Sequence, residues 1–349
     1  MYCMNIFMSK FKLKAVRFFV GIRYPLFAVL LLAVFILSVR YGSAKMSLSE
    51  FFGGLFSLGG FETERIIIYN VRMPRVLAAM VGGIGLSLSG SVLQAVTGND
   101  LAAPSIIGIN SGAGLGAMIF LSFAPTVSHI GGSLLLQMFS FFGAFLTTII
   151  VITLSEKAGG GKASIVLAGV AINAVFNAFI SAISLIDTEV LPSYNSFSIG
   201  GFASCEYKDI IIPAVIIVIS LLISICLSRY VNLMSLGVGG AHILGVNVRA
   251  VRIVCIILAS ASAASAVSFA GLIGFVGLVV PHITKKIVGT GFCRVVTMST
   301  LLGATITALA DLLGRVLLSP TEIPVGITMA LIGAPLFITL LYRGRREYL

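Results

Sequence analysis

The sequence lacks tryptophan altogether and has few charged residues of either sign. Only 10% of its 349 residues are charged, while 58% are hydrophobic; soluble domains carry roughly 25% charged residues. So little charge excludes a water-facing surface of ordinary size, and most of the chain must face lipid. In lipid only helices and closed barrels satisfy the backbone, and the apolar runs lack the alternation of barrel strands. The composition therefore predicts an all-α polytopic membrane protein.

Cysteine and histidine are also scarce, with five and three residues respectively. No CxxC pair and no metal-ligand spacing occurs, which predicts neither a disulfide framework nor a metal site. No serine, histidine and acid constellation is present either. We therefore expect no catalysis by this chain and no cofactor bound to it.

Two glycine-rich stretches are similar to nucleotide-binding loops only at first sight. In Gly159-Gly160-Gly161-Lys162 the lysine is followed by alanine, whereas a phosphate loop needs a hydroxyl residue there for Mg²⁺. Gly112-Ala113-Gly114-Leu115-Gly116 follows no predicted strand, as a dinucleotide-binding loop would. We expect no nucleotide site in this chain.

The net charge of +11 is spread over short basic clusters between apolar runs. That pattern favours membrane orientation over nucleic-acid binding. By the positive-inside rule the basic loops are cytoplasmic, so both termini are predicted to be cytoplasmic. The apolar run Tyr24–Val39 after the first basic cluster is read as a membrane anchor rather than a signal peptide, because no convincing cleavage site follows.

About twenty apolar residues span a bilayer as a helix, which predicts ten transmembrane helices. These lie near 24 to 41, 74 to 97, 105 to 123, 132 to 154, 163 to 186, 210 to 228, 250 to 270, 272 to 288, 295 to 318 and 325 to 342. The eighth is interrupted by glycines and Pro281, which favours a broken helix. The predicted organisation is a cytoplasmic tail 1–23, one transmembrane domain 24–342 and a cytoplasmic tail 343–349.

Small residues are concentrated in the second and seventh spans, at 82–90 and 259–266. Small side chains let helices approach closely in lipid. Because five helices separate them, these spans run in opposite directions, as in an inverted repeat of two five-helix halves. Ordinary tight packing explains the same pattern equally well.

Four ionisable residues fall at the predicted outer rim: Arg72, Arg75, Asp311 and Arg315. Charges at membrane depth are costly and are usually paired or functional. They read either as snorkelling helix-end residues, with Asp311 and Arg315 as an i,i+4 pair, or as a docking patch for carboxylates of an external partner. Spacing alone favours the first interpretation.

Two blocks of the sequence together resemble the FecCD-type permeases, the membrane subunits of ATP-binding-cassette importers for iron chelates, haem and vitamin B12. The first block comprises Arg72-Met73-Pro74-Arg75, Ser89-Gly90, Gln94, Asn99, Leu101-Ala102, Pro104 and Gly108. The second comprises 271–278, Pro281-His282, Ala310-Asp311, Arg315, Ile323-Pro324-Val325-Gly326 and 333–335.

The resemblance implies a ten-helix protomer paired with a second permease chain, identical or different. It also implies two ATP-binding subunits on the cytoplasmic side, which hold the ATP and magnesium, and an extracytoplasmic solute-binding protein. It assigns docking of that protein to Arg72, Arg75 and Arg315, in place of snorkelling. A bacterial cell-membrane location is implied, with no nucleic-acid partner.

The resemblance also assigns residues to the pathway and to coupling. Gln94, Asn99, Leu101 and Asn110 are expected along the translocation pathway or its cytoplasmic gate. The segment 232–246 is similar to the coupling helices that contact the ATPases, through Leu236, Gly237, Ala241, Leu244 and Gly245. Pro74, Gly90, Pro104, Pro281, His282, Asp311, Pro324 and Gly326 belong to the structural motif.

Some positions depart from the family pattern. Asp100 stands where a proline is usual, and Val238-Gly239-Gly240 replaces a polar or acidic start of the coupling helix. An iron chelate or haem is the expected cargo, with vitamin B12 as the alternative. An ion-coupled secondary transporter would need buried acids, which are nearly absent, and a lipid-modifying membrane enzyme would need an acidic or histidine cluster at the interface.

Overall fold

The computed structural model describes residues 23–44, 46–57, 59–127, 132–159 and 162–346. The predicted tail up to residue 22, with its basic cluster, and the last three residues lie outside these ranges. Within them every regular element is helical, and no strand occurs. The prediction of an all-α polytopic membrane protein is confirmed.

Fifteen α-helices follow one another along the described chain. They are α1 (Arg23–Arg40), α2 (Leu48–Leu55), α3 (Glu62–Ile66), α4 (Met73–Thr97), α5 (Ile109–Val127), α6 (Gly132–Lys157), α7 (Lys162–Ile186), α8 (Leu191–Ile199), α9 (Tyr207–Cys226), α10 (Ser228–Met234), α11 (Gly237–Ile243), α12 (Val248–Ala270), α13 (Val276–Val288), α14 (Phe292–Val316) and α15 (Val325–Arg346). A π-helical turn, Ile67–Arg72, joins α3 to α4.

Seven helices in the described ranges are long and apolar enough to cross a membrane. Two shorter apolar segments, Ile109–Phe123 and Val325–Thr339, fall at the predicted third and tenth spans. At the predicted eighth span, residues 271–275 are not helical, and α13 begins only at Val276. The predicted number of ten spans stays a prediction.

Helix α4 lies at the centre of the bundle, against α12, α13 and α14. Glycines carry these contacts: a Cβ on Gly83 would lie 2.2 Å from Gly303 O, and one on Gly90 only 1.8 Å from Gly277 O. Only glycine permits backbones to meet at this distance. The predicted small-residue runs therefore act in close helix packing.

Helices α4 and α12 run antiparallel. Gly82 faces Phe269, whereas Gly85 faces Ser262, whose hydroxyl donates to Gly85 O at 3.0 Å. The two spans therefore have the opposite directions expected from the sequence. The inverted repeat of whole five-helix halves stays a prediction.

Helices α1 and α7 lie at the edge of the bundle. In the apolar stretch of each helix, only 17% is buried inside the chain. In the segment that contains α4, 78% is buried. Their exposed faces must therefore meet lipid, a water-filled pathway or another chain.

Candidate functional sites at the two ends of the bundle

At one end of the bundle, five charged residues form what we call the arginine cluster: Arg72, Arg75, Asp311, Arg315 and Glu322. The π-helical turn presents Arg72 and the first turn of α4 presents Arg75, while α14 presents Asp311 and Arg315. Pro74 lies where the π-helical turn passes into α4; proline has no N–H to donate, and the regular α-helical pattern begins only at this point. The π-helical turn, two helices and the loop after α14 thus supply the whole cluster.

Asp311 holds the centre of the arginine cluster. Arg75 Nε donates to Asp311 Oδ1 at 3.1 Å, and Arg315 Nε lies 3.0 Å from Asp311 Oδ2. The second contact is the i,i+4 pair that the spacing predicted. Arg75 Nη1 also donates to Glu322 Oε2 at 2.6 Å. One buried carboxylate therefore compensates two guanidinium groups, with Glu322 as a second partner of Arg75.

Arg72 and Arg315 hold the end of α1. Arg72 Nη1 donates to the carbonyls of Val39, at 2.9 Å, and of Arg40, at 2.6 Å. Arg315 Nη1 donates to the carbonyl of Ser38 at 3.1 Å. The last carbonyls of a helix lack intrahelical donors and carry its negative dipole end, so cations stabilise them. These two arginines thereby cap α1.

The burial of the three arginines contradicts the snorkelling interpretation. Arg72, Arg75 and Arg315 are 4%, 7% and 2% exposed. Snorkelling side chains would end in water. Here the guanidinium groups are turned onto carbonyls and carboxylates of this chain. Their role in docking stays a prediction.

The arginine cluster keeps an excess of positive charge. Three guanidinium groups against two carboxylates leave one positive charge uncompensated, and Arg315 Nη2 is buried without a hydrogen-bond partner among the described residues. Burial raises the pKa of Glu322, but hydrogen bonds from Arg75 and Ser43 and the charge of Arg75 outweigh it, so the pKa is lowered. A cavity of about 190 Å³ beside Arg75 and Glu322 opens on this site.

At the other end of the bundle, Lys285 of α13 joins the turn that follows α4. Its Nζ lies 2.6 Å from Asp100 Oδ1 and donates to Gln94 Oε1 at 2.8 Å. Gln94 Nε2 in turn donates to Leu278 O at 3.2 Å. Sequence reasoning noticed Asp100 only as a departure from the family pattern, and it did not connect Lys285 with it.

The predicted pathway residues fall in different environments. Gln94 is 1% exposed and is hydrogen-bonded inside the chain. Asn99 accepts from Leu101 N at 2.9 Å, a local turn that leaves Leu101 42% exposed. Asn110, at the start of α5, is half-buried. The place of all four residues along a pathway stays a prediction.

The structural-motif residues pack between helices. Pro104 contacts the position of Gly277, where an added Cβ would lie 2.9 Å from its Cδ, and a Cβ on Gly326 would lie 1.8 Å from Ile199 O. Pro281 is buried inside α13, His282 beside it is half-buried, and Pro324 lies exposed just before α15. These residues fix helix contacts and ends.

The predicted coupling segment forms two short helices, α10 and α11. Leu236, Ile243 and Leu244 are 62%, 87% and 55% exposed, although neither helix is long enough to cross a membrane. Gly237 and Gly245 flank α11 at φ values of +88° and +76°, which favour glycine. Ala241 is fully buried against Val246 and Val248 and so packs α11 onto this chain. The coupling role of the segment stays a prediction.

Helix α7 carries an exposed face of small and polar residues that was not predicted from the sequence. Ala174, Asn177, Ala178 and Ser181 are exposed and share one face by their spacing of three and four. An exposed asparagine facing hydrocarbon would leave its amide unsatisfied. This face is therefore suited to water or to another chain. The sequence feature that could have indicated this face is Asn177, a polar residue in a mostly apolar predicted span.

Comparison with known proteins identifies the family. The model of the FecCD transport family matches residues 30–343, which is most of the chain. The chain belongs to the FecCD transport family. This FecCD protein is therefore a permease subunit of the ABC importer class, and it is a multi-pass membrane protein.

The sequence similarity to curated relatives extends over almost their whole length. The FecCD protein is 34% identical to the hemin transport system permease protein HmuU of Yersinia pestis, over 90% of this chain and 95% of that protein. It is 32% identical to the iron(3+)-hydroxamate import system permease protein FhuG of Bacillus subtilis, with the same coverage. A solved metal-chelate type ABC transporter in an inward-facing conformation superimposes with a TM-score of 0.81 at 32% identity, over 91% of this chain and 97% of its own.

Proposed function

We propose that this FecCD protein forms the translocation pathway for an iron chelate, either a siderophore or haem, in an importer driven by partner ATPases. The observation that carries the proposal is its agreement over nine-tenths of its length with permeases named for hemin and iron(3+)-hydroxamate transport. A vitamin B12 permease is the alternative within the same family. Solute-binding proteins deliver the cargo, so specificity rests largely with them.

The cytoplasmic partners would be two ATP-binding subunits that contact α10 and α11. Leu236, Ile243 and Leu244 form an exposed apolar set outside the membrane spans, which is typical of an interface core. No charge lies among these residues, so the contact would depend on burial of apolar area. Asn232 Oδ1 accepts from Phe292 N at 3.0 Å and so ties α10 to the start of α14. A push on α11 would reach α14 through this contact.

The extracytoplasmic binding protein would dock at the arginine cluster. A carboxylate from that protein would neutralise the uncompensated positive charge there, and the cavity beside Arg75 gives it a route. Docking would then compete with the carboxylates and carbonyls that hold the arginines in the free protein. It would thereby loosen the end of α1 from α4 and α14, a change that only the loaded assembly undergoes.

The pathway itself would form between two permease chains, either two copies of this one or this one and a related chain. The polar face of α7 around Asn177 would line it, and the turn with Leu101 would narrow its cytoplasmic end. Weakly polar walls let a bulky chelate pass without being held. Residues 24–342 would make up this single permease domain, in a bacterial cell membrane with both termini cytoplasmic.

Reconstitution in proteoliposomes with the partner ATPase and binding protein tests the proposal. Uptake of radiolabelled ferric siderophore, hemin and cobalamin is measured with and without ATP, for the wild type and for Ile243→Asp. We expect vanadate-sensitive uptake of one iron chelate, and its loss in Ile243→Asp together with loss of ATPase association. Thr63→Asp, exposed at the opposite end of the bundle, is the matched control and should transport normally.

One result would overturn the proposal, and a second would remove one part of it. Uptake that follows an ion gradient without the ATPase would identify a secondary transporter. Normal transport by Ile243→Asp would remove α11 from the coupling contact while leaving the family assignment untouched.

A further inference from the structure

The short helix α2 carries an exposed apolar stripe that the transport mechanism does not use. Leu48, Phe52 and Phe56 follow one another at intervals of four, which places them on one face of the helix and its C-terminal cap. They are 64%, 49% and 67% exposed, and the rings of Phe52 and Phe56 stack at 6.3 Å. Large apolar side chains in such a row seldom face water without a partner.

The opposite face of α2 is fixed to the rest of the chain. Phe51 is 6% exposed, and Gly54 lies so close to the backbone of Glu64 that an added Cβ would be 2.9 Å away. A capping box between Ser47 and Glu50 begins the helix. The stripe is therefore held outward by packing on its other side, and it cannot turn inward.

Contacts with the end of α1 determine the level of α2. The Arg40 guanidinium lies 5.3 Å from the Tyr41 ring and 5.5 Å from the Phe51 ring, and Arg40 Nη1 donates to Met46 O at 2.8 Å. Arg40 is the last residue of α1, and an exposed tyrosine at a helix end marks the membrane interface. Helix α2 therefore lies beside the point where α1 leaves the hydrocarbon.

The exposed surface of α1, next to the stripe, is apolar as well. The exposed side chains of α1 are large and apolar, including Leu30, Leu32 and Ile36 at 44%, 58% and 52% exposure. The charged residues of the neighbouring α3, such as Glu62 and Arg65, are exposed on the same hairpin. An apolar stripe at this level, with charged residues of α3 beside it, has the form of an interfacial helical segment.

We propose that α2 is an interfacial anchor whose stripe, Leu48, Phe52 and Phe56, lies in the lipid leaflet in which α1 ends. The anchor fixes the depth of the loop that joins α1 to α2. Arg72 donates to the last carbonyls of α1, just before this loop. Its occupant is the lipid bilayer, not a second protein. This holds whatever the cargo of the transporter is.

The absence of tryptophan makes the test direct, because one introduced indole is the only one in the chain. The full-length variants Phe52→Trp, Leu30→Trp and Glu62→Trp are reconstituted in vesicles of phosphatidylcholine and phosphatidylglycerol. Leu30→Trp is the lipid-facing reference and Glu62→Trp is the water-facing reference on the same hairpin. Fluorescence is measured with phosphatidylcholine brominated near the headgroup end of its acyl chains, and with aqueous acrylamide.

We expect Phe52→Trp to lose fluorescence on brominated lipid to an extent comparable with Leu30→Trp. Its quenching constant for acrylamide should be several-fold lower than that of Glu62→Trp. Acrylamide access equal to that of Glu62→Trp, without quenching by brominated lipid, would overturn the proposal. Protection that arises only when the binding protein or more permease is added would overturn it as well, and would make the stripe a protein-docking surface.

Discussion

Lys285 Nζ lies 2.6 Å from Asp100 Oδ1, although the two residues are 185 positions apart in the sequence. The same ammonium group donates to Gln94, which is 1% exposed, whereas the Asp100 side chain is 58% exposed. Lys285 therefore makes one solvent-screened ion pair and one part-buried hydrogen bond to a buried side chain. The two contacts should contribute unequally to the hold of α13 on the turn after α4.

We expect Asp100→Asn to lower the free energy of unfolding by only about 0.2–1 kcal/mol, as is usual for an exposed ion pair. Gln94→Leu should cost more, about 1–3 kcal/mol, because it leaves Leu278 O without its donor and Lys285 without its buried acceptor. Thermal unfolding of the purified protein in detergent measures both. Glu189→Gln, an exposed acid elsewhere, is the control, and equal costs for the two variants would contradict the assignment.

The buried carboxylate of Asp311 should be among the least replaceable in the chain. Asp311→Asn leaves Arg75 and Arg315 in the interior with far less compensation, and we expect a loss of about 3–5 kcal/mol in stability. Glu322→Gln should cost clearly less, since the Glu322 side chain is 28% exposed and contacts only Arg75 among the arginines by ion pair. Yield of monodisperse protein and thermal unfolding are the readouts. Similar losses in both variants would argue against Asp311 as the centre.

The Arg75–Glu322 ion pair should make stability sensitive to acid. The pKa of Glu322 is lowered from its usual value of 4.5 in the folded protein. Its contribution is therefore fully present above pH 4.5 and is lost as the pH falls through the folded-state pKa. We expect the stability difference between wild type and Glu322→Gln to shrink in that acidic window. A difference that stays constant with pH would show that the carboxylate charge makes no contribution.

Gly90→Ala should disrupt the contact of α4 with α13. The new Cβ would lie 1.8 Å from Gly277 O, so the two backbones must separate. Overpacking of this kind costs about 1–3 kcal/mol or more. Gly132→Ala, a helical glycine with nothing within 4 Å of its added Cβ, is the matched control and should leave unfolding unchanged. Cross-linking between cysteines placed on α4 and α13 would report the separation directly.

Much of the helical layout followed from local pattern. The span at 163–186 coincides with α7 to within a residue, because a long apolar run in lipid must be helical. The third span began too early: Pro104 and Gly108, at φ +90°, keep residues 104–108 in turns and delay α5 to Ile109. The eighth was correctly suspected of a break, since glycines at 271 and 274 lie within the non-helical segment.

The candidate sites were only partly accessible to such reasoning. The pairing of Asp311 with Arg315 followed from their spacing on one helix, but the 236-residue separation of Arg75 from Asp311 gave no local signal. The exposure of individual side chains on α11 could not be predicted from the sequence either. Ala241 was therefore expected at a partner surface, and Ile243 was not singled out.

The sequence by itself determined that this protein is a helical membrane protein of a recognisable permease type, because lipid demands long apolar helices and the family motifs are local strings of residues. Only the tertiary structure decided that the arginines are buried on carbonyls of α1 and on Asp311, that Gln94 is an internal partner of Lys285, and that the stripe of α2 faces outward. Those facts depend on which helices pack together. Contacts between residues far apart in the chain arise from the whole packing arrangement, which no single segment encodes.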